Sequence, residues 1–150
     1  MKIVVGLPYP SEEFIERLDR EFPDIDFTRA YSLDDQRRKI ADADAFYGWP
    51  DAGLLADAVQ LRWIHIPGMG IDRFLDTPGA LDVRVTVTNA PGAHTNPIAD
   101  HALAMILAFA HRLPEMLDDR RAHTWDPAKY YHRILELNGS ILGLLGMGGI

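Results

Sequence analysis

Short apolar segments alternate with amphipathic segments over residues 2–88, and this alternation limits the possible folds more than any other feature. We predict strands at residues 2–6, 25–28, 45–48, 62–66 and 83–88. Helices are predicted after Ser11, after Ser32, at residues 52–59 and at residues 71–75. Short apolar strands separated by helices are typical of parallel pairing with both sheet faces covered. The chain is therefore expected to form an α/β, doubly wound parallel sheet.

The loops at the carboxyl ends of the predicted strands form the side of such a sheet where ligands bind. These loops cover residues 7–10, 49–51, 67–72 and 89–96. In the third loop, Gly68 and Gly70 flank Met69. Consecutive backbone amides at such a site can form a concave nest for a carboxylate or a phosphate. The alternative is that the two glycines only permit positive φ in a connecting turn.

A long apolar helix is predicted after the sheet. Asn96 is the expected N-cap and Pro97 the first helical residue, and the helix is expected to run to about Asp118. Its apolar residues lie on nearly all sides, so we expect burial on more than one side, between domains or subunits. Residues 120–137 are polar and irregular, and residues 140–145 return to the apolar pattern of a strand.

Length and composition exclude several classes of function. A chain of 150 residues forms one domain, or one domain plus the beginning of another. The 15 Lys and Arg against 22 Asp and Glu give a net charge of −7, and no basic stripe is present. We therefore expect no nucleic-acid partner. The absence of Cys excludes disulfides, Cys-type zinc sites and thiol nucleophiles.

The sequence contains no segment typical of membrane insertion or secretion. The longest uncharged apolar run, residues 102–110, has about half the length that a membrane span needs. The apolar stretch before Pro8 is too short for a secretory signal. We expect a cytoplasmic protein with no membrane partner.

The C-terminal residues 141–150 consist of an apolar segment that runs into Gly-Met-Gly-Gly-Ile. In a dinucleotide fingerprint, the first glycine makes a tight turn and the second lets the backbone approach the pyrophosphate. The N-terminus of the following helix then donates amide hydrogens to the pyrophosphate. The third glycine and the acidic residue for the ribose would lie beyond residue 150. A glycine-rich chain end or a simple turn is the alternative interpretation.

The sequence shows no complete catalytic or metal-binding set. It has six histidines but no His-Glu-x-x-His motif, and it has no Gly-x-Ser-x-Gly elbow. His101 and His111 lie well off a shared helix face. His94 lies in a loop on the ligand-binding side of the sheet, and both a surface role and a site role remain open for it. We assign no metal and no catalytic residue.

Four motifs follow one another along the chain. They are Arg-Trp-Ile-His-Ile-Pro-Gly-Met-Gly-Ile-Asp at residues 62–72, Val-Thr-Asn-Ala-Pro-Gly at 87–92, Pro-Ile-Ala-Asp-His at 97–101, and Glu-Leu-Asn-Gly at 136–139 before the glycine segment. Together they resemble the D-isomer-specific 2-hydroxyacid dehydrogenase family. The combination is specific to that family, whereas each motif alone is not.

The resemblance implies a two-domain oxidoreductase that transfers a hydride between NAD or NADP and a small 2-oxo or 2-hydroxy acid. It implies a flavodoxin-like substrate domain at residues 1–96, and an interdomain helix and connector at residues 97–138. Residues 139–150 would be the first strand and glycine turn of a truncated Rossmann domain. A homodimer is implied for the full-length protein.

The resemblance also assigns binding residues. The substrate-binding residues would be Gly68, Met69, Gly70, His94 and Thr95, the first three through their backbone amides. The residues of the pyrophosphate turn would be Gly146, Gly148, Gly149 and Ile150.

Three departures from the family pattern are informative. Met69 stands where the family has a small residue, and its long thioether would narrow the acyl pocket. Asp100 replaces a Glu, and Ser140-Ile141 replace Lys-Thr. The family's catalytic Arg, Glu and His correspond to positions after residue 150, so the chain alone is expected to lack dehydrogenase activity. Residues 139–150 are expected to be disordered or to pair opportunistically, because a lone strand cannot bury its own faces.

The sequence leaves two alternative functions. The first is an NADH-sensing, dimeric corepressor-type binding protein of the same fold. The second is a free-standing flavodoxin-like or receiver domain. This second alternative is disfavoured because residues 7–9 and 48–50 lack the acidic cluster that receiver domains need.

Overall fold

The computed structural model describes residues 1–7, 11–82 and 84–148, and it divides into two compact units, Met1–Ala93 and His94–Ile150. The strands of the first unit are β1 (Lys2–Val5), β2 (Asp26–Arg29), β3 (Ala45–Tyr47), β4 (Trp63–Ile66) and β5 (Thr86–Asn89). They form one parallel sheet in the order β2-β1-β3-β4-β5, which is the flavodoxin-like order. The predicted doubly wound parallel sheet is confirmed. Residues 8–10 of the first predicted loop, and Val83 at the start of the fifth predicted strand, lie outside the described residues.

The helices of the first unit begin where the sequence predicts. They are α1 (Glu12–Glu21), α2 (Leu33–Ile40), α3 (Ala52–Asp57) and α4 (Asp72–Leu75). The side chains of Ser11, Ser32 and Asp51 accept hydrogen bonds from the backbone N–H three residues on, at 3.2, 3.2 and 2.7 Å. Because these N–H groups have no partner within the helix, each cap fixes the start of its helix. The predicted starts at Ser11 and Ser32 are confirmed.

The two faces of the sheet are covered unequally. Alternate residues of a strand point to opposite faces, and right-handed crossovers in this strand order put α1 on one side and α2 to α4 on the other. The larger core joins α2, α3 and α4 to the sheet through Val4, Ile40, Phe46, Leu54, Ile64 and Phe74. The smaller core joins only α1 to the sheet through Val5, Ile15 and Phe27. On this second side, Trp63 and Thr88 remain exposed.

The centre of the larger core is the Phe46 ring, which is 1% exposed. A Cβ at Gly6 would overlap this ring, and a Cβ at Gly48 would lie 3.0 Å from its Cε1 atom. The buried Gln36 side chain donates from Nε2 to the Gly6 carbonyl at 2.9 Å. The end of β1 is therefore held against both β3 and α2, with no space for a side chain at Gly6.

The second unit contains α5 (Thr95–Ala110), α6 (Leu113–Arg121) and a 3-10 turn at Pro127–Lys129. The prediction of one helix that runs to about Asp118 is wrong. Arg112 adopts a left-handed conformation with φ of 58°, and Pro114 cannot donate a hydrogen bond to a preceding turn. The chain therefore ends one helix and starts another at this point.

The predicted N-cap of the long helix is also wrong. His94 is at the cap position and Asn96 lies inside the first turn of α5. Pro97 still lies in that turn. An N–H at this position would have no acceptor within the helix, so a proline there costs no hydrogen bond. Proline therefore marks the first turn correctly but does not fix the exact first residue.

The side chains of α5 are mostly exposed in this chain, and their predicted burial between domains or subunits stays a prediction. Leu103 is 52% exposed and Phe109 is 60% exposed, whereas Ala110 is buried. A helix that is apolar on all sides needs a second surface to bury it, and within the described residues the apolar side chains of α5 keep their solvent contact.

A polar cluster holds the 3-10 turn against α6. The Asp119 carboxylate accepts hydrogen bonds from the Lys129 ammonium at 2.7 and 2.8 Å and from the Tyr130 hydroxyl. These bonds, that of Lys129 first, lower the pKa of the Asp119 carboxyl. The Trp125 ring lies 6.2 Å from the buried Tyr130 ring, centroid to centroid. The polar connector thus has a defined structure although it lacks a regular pattern.

The strand predicted at residues 140–145 does not form. Residues 140–148 are irregular and exposed. A strand needs a neighbour to pair its backbone groups, and the described parts of the chain provide none for this segment.

Candidate functional site

The loop that follows β4 is fastened to β5 by two hydrogen bonds on its carbonyl groups. The Asn89 side chain donates from Nδ2 to the Met69 carbonyl at 2.6 Å, and the Ala90 N–H donates to the Gly68 carbonyl at 3.0 Å. The register that pairs Ile66 with Asn89 brings Asn89 to the base of this loop. The loop is therefore held by the neighbouring strand.

The amides of the same loop donate no hydrogen bond to the described parts of the chain. Among the hydrogen bonds within residues 1–7, 11–82 and 84–148, none is donated by the N–H of Gly68, Met69 or Gly70. Gly68 and Met69 are half-buried and Gly70 is exposed. A loop with fixed carbonyls and unpaired amides can donate to an anion such as a carboxylate.

The charge of Asp72 makes the two ends of the loop unequal. One oxygen of its carboxylate, Oδ2, lies 3.3 Å from the position that a Cβ would take at Gly70. A negative charge at that end opposes a bound anion, since like charges repel. The Gly68 end is therefore the more favourable end for a carboxylate.

Trp49 lies against the Gly68 end of the loop. A Cβ at Gly68 would be 3.0 Å from the Trp49 Cζ2 atom and 3.5 Å from Cη2. The indole is 44% exposed, so most of a large apolar surface stays open beside the loop. Trp49 and Asn89 were not among the predicted site residues. Their roles follow from the pairing of β3, β4 and β5, and the available signal was their position directly after predicted strands.

Two predicted site residues lie in the second unit. His94 is exposed at the cap of α5, and its carbonyl accepts from the Ile98 N–H at 3.1 Å. Thr95 is half-buried and is the first residue of α5. Their closeness to substrate and nicotinamide stays a prediction.

The pyrophosphate turn stays a prediction, and two of its four residues lie within the described residues. Gly146 has φ of 92°, a conformation that favours glycine, and Gly148 is exposed with no atom within 4 Å of a Cβ placed there. Gly149 and Ile150 lie outside the described residues. Because residues 140–148 form neither a strand nor a helix, the described residues of this segment do not form a nicotinamide cofactor site by themselves.

An apolar cavity of about 250 Å³ lies between α1 and the sheet, away from the loop after β4. Tyr47 and His65 line it with their rings stacked, 5.7 Å between centroids. Burial raises the pKa of the Tyr47 hydroxyl. The Trp63 indole N–H donates to the Thr88 hydroxyl at 2.8 Å, and His65 Nδ1 lies at the same distance from that oxygen. These polar groups partner one another and do not face the loop amides.

The described residues contain neither a cluster of metal ligands nor a helix that could cross a membrane. No group of three or more His, Asp or Glu side chains there could hold a metal ion. No helix in those parts of the chain is both long enough and apolar enough to span a bilayer.

Comparisons with known proteins agree with the geometry. The family described as "D-isomer specific 2-hydroxyacid dehydrogenase, catalytic domain" matches residues 3–140. D-3-phosphoglycerate dehydrogenase of Archaeoglobus fulgidus is 28% identical over 154 residues, which cover 100% of this chain and 28% of that protein.

Solved structures share the fold at lower identity. A D-isomer specific 2-hydroxyacid dehydrogenase family protein from Aeromonas salmonicida has a TM-score of 0.72 at 19% identity, with 86% of this chain and 42% of that one covered. An NAD-dependent formate dehydrogenase from Staphylococcus aureus, solved with NAD, has a TM-score of 0.67 at 19% identity, with 91% and 46% covered. This chain thus spans less than half the length of each of these proteins.

The family match extends over most of the chain and includes both units. The strand order, the glycine loop after β4 and the helix that begins near Pro97 all lie inside the matched residues. The chain belongs to the D-isomer specific 2-hydroxyacid dehydrogenase family.

Proposed function

We propose that this chain is the substrate-binding part of an NAD- or NADP-dependent oxidoreductase that interconverts small 2-oxo and 2-hydroxy acids. Family membership supports the reaction class, and the NAD-bound formate dehydrogenase supports a nicotinamide cofactor. The observation that carries the proposal is the loop after β4, whose carbonyls are fixed and whose amides are unpaired. A cytoplasmic location remains part of the proposal.

In this proposal the amides of Gly68, Met69 and Gly70 hold the substrate carboxylate, with the strongest contact at the Gly68 end. Backbone amides suit this role because a carboxylate accepts several N–H bonds and charge-assisted bonds are the stronger ones. His94 and Thr95 are proposed to lie close to the substrate and the nicotinamide. Gly146, Gly148, Gly149 and Ile150 are proposed to contribute to the pyrophosphate turn.

The bound nicotinamide would supply or accept the hydride, and this chain would orient the acid that exchanges it. Reduction of a ketone also needs a positive charge and a proton donor near its oxygen. Among residues 48–51, 67–72 and 89–96, in the loops after β3, β4 and β5, there is no Lys or Arg, and His94 is the one His. We therefore assign this chain no turnover of its own.

Titration of the ¹⁵N-labelled chain with pyruvate tests the proposal. We expect the amide resonances of Gly68, Met69 and Gly70 to shift and saturate, because these N–H groups donate to the carboxylate. Addition of NADH to the same sample should produce no lactate.

Methyl pyruvate is the matched control, since it keeps the ketone but lacks the charged carboxylate. It should leave the three amides unshifted. Equal shifts with both compounds, or shifts at other residues only, would contradict the proposal.

The homodimer also remains a proposal for the full-length protein. Its support is the exposure of large apolar side chains on α5. They are Ile98, Leu103, Met105, Ile106, Leu107 and Phe109. Contiguous apolar surface of this kind marks protein contacts in soluble proteins, so we propose that α5 packs at the dimer interface.

A charge placed on α5 tests this interface. We expect Leu103→Glu to convert the dimer to a monomer in sedimentation velocity, because a buried unpaired carboxylate disfavours association. Leu33→Glu on α2 is the matched control, since Leu33 is 56% exposed and lies in the first unit. A dimer that persists in Leu103→Glu would exclude this face of α5 from the interface.

A further inference from the structure

The side chain beside the amide loop is the aromatic ring of Trp49, which is 44% exposed. Trp49 follows β3 and the loop follows β4, and these strands pair directly, with Tyr47 opposite His65. The edge of the indole therefore lies beside Gly68 and leaves little space for a Cβ at that residue. A substrate whose carboxylate binds the Gly68 end has its next carbon atoms close to this ring.

Residues on both sides of Trp49 hold its backbone in place. Gly48 has φ of 148°, and its N–H donates to the His65 carbonyl at 3.1 Å. On the other side Pro50 is buried, and Asp51 caps α3 through the Leu54 N–H. The backbone of Trp49 is thus held on both sides, and its partly exposed ring forms part of the surface of the site.

The loops around this ring contain no Lys or Arg, and Asp51, Asp72 and His94 directly follow them. Residues 48–50, 67–71 and 89–93 contain no ionisable side chain. A phosphate or a second carboxylate on a substrate would need a cation or several donors to offset its desolvation. Two arginines flank the loops: Arg37, whose guanidinium lies against Gly53, and Arg73 in α4. Arg37 belongs to α2 and Arg73 to α4, so neither arginine is part of the three loops.

We propose that Trp49 is a specificity-determining residue that selects 2-oxo acids with an aromatic or bulky aliphatic substituent over phosphorylated ones. This inference rests on the proposed function. The substrates proposed here differ from the phosphorylated substrate that appears in the name of the Archaeoglobus relative. Met69, half-buried in the same loop, adds a flexible thioether that adapts to apolar groups.

Titration of the ¹⁵N-labelled chain with pyruvate, phenylpyruvate and 3-phosphohydroxypyruvate tests the inference. We expect phenylpyruvate to bind about three- to tenfold more tightly than pyruvate, the range that offset aromatic stacking supplies. Trp49→Ala should bring the ratio of the pyruvate to the phenylpyruvate dissociation constant to about one, and Trp49→Phe should restore most of the advantage. Trp125→Ala, which changes a 69% exposed indole in the second unit, should leave all three affinities unchanged.

The readout must be resolved by residue, because the cavity beside Tyr47 could itself accept a phenyl ring. Shifts at Gly68 and Gly70 report the loop, and shifts at Val5 and Tyr47 report the cavity. Phenylpyruvate shifts confined to the cavity, or an advantage that survives Trp49→Ala, would overturn the role of Trp49.

The outcomes separate the inference from the proposed function. If 3-phosphohydroxypyruvate binds at Gly68 more tightly than phenylpyruvate, the inference is overturned and the proposed function stands. This holds whether Arg37→Gln or Arg73→Gln abolishes the tighter binding or both variants retain it. Failure of all three acids to shift Gly68, Met69 and Gly70 would overturn the proposed function itself.

Discussion

Gly68→Val removes pyruvate binding while the chain keeps its fold. A Cβ at this position is 3.0 Å from Trp49 Cζ2, and the two further methyl groups of Val must push the indole away or turn the loop. Either movement displaces the unpaired amides from the carboxylate. Hydrogen bonds to a charged group contribute about 1.5–3 kcal/mol, so binding should weaken at least about tenfold. Isothermal titration calorimetry with pyruvate measures this loss.

Gly92→Val is the matched control for that experiment. Gly92 lies in the loop after β5, and nothing is within 4 Å of a Cβ placed there. Its pyruvate affinity should equal that of the parent chain. Circular dichroism should show the same fold in both variants. A folded Gly68→Val variant that binds pyruvate normally would show that the loop amides are not the carboxylate site.

Phe46→Ala destabilises the first unit by about 3–5 kcal/mol, the range found when a buried aromatic residue is truncated to alanine. The ring is 1% exposed in β3, and it fills the space above Gly6 and Gly48, where no side chain can replace it. Since small domains are stable by about 5–15 kcal/mol, the variant should be marginally folded. Urea unfolding followed by circular dichroism measures the change.

Two further variants keep this prediction testable. Phe46→Leu retains much of the volume and should unfold at a urea concentration between those of the parent chain and Phe46→Ala. Leu33→Ala, at a position that is 56% exposed, should change the free energy of unfolding by less than about 0.5 kcal/mol. A loss below 1 kcal/mol for Phe46→Ala would mean that the Phe46 ring is not the centre of the core.

The fold of the first unit could be predicted because its signals are local. Each strand is a short apolar run, and Ser11 and Ser32 mark helix starts through bonds to amides three residues away. Parallel pairing then follows from the helical connections. The end of α5 could also have been predicted, since Pro114 stands inside the proposed long helix.

Other features depend on partners that are distant in sequence. Leu103 on α5 is exposed because no described surface covers it, and residues 140–145 form no strand because no described strand pairs with them. The periodicity of a sequence does not show whether such a covering surface or neighbouring strand exists. The same limit applies to the site. The glycines of the loop were predicted, but the contact of Trp49 with Gly68 and the bond from Asn89 to Met69 require the register of three neighbouring strands.

The two bonds from β5 to the Gly68 and Met69 carbonyls have a thermodynamic consequence. They hold two consecutive peptide groups of the loop, so the conformational freedom of these groups is lost when the sheet forms. An anion that arrives later meets the Met69 and Gly70 N–H groups already oriented, and the entropy cost of ordering them belongs to folding and not to binding. Even a small acid with few contacts can then be retained by a loop of main-chain amides.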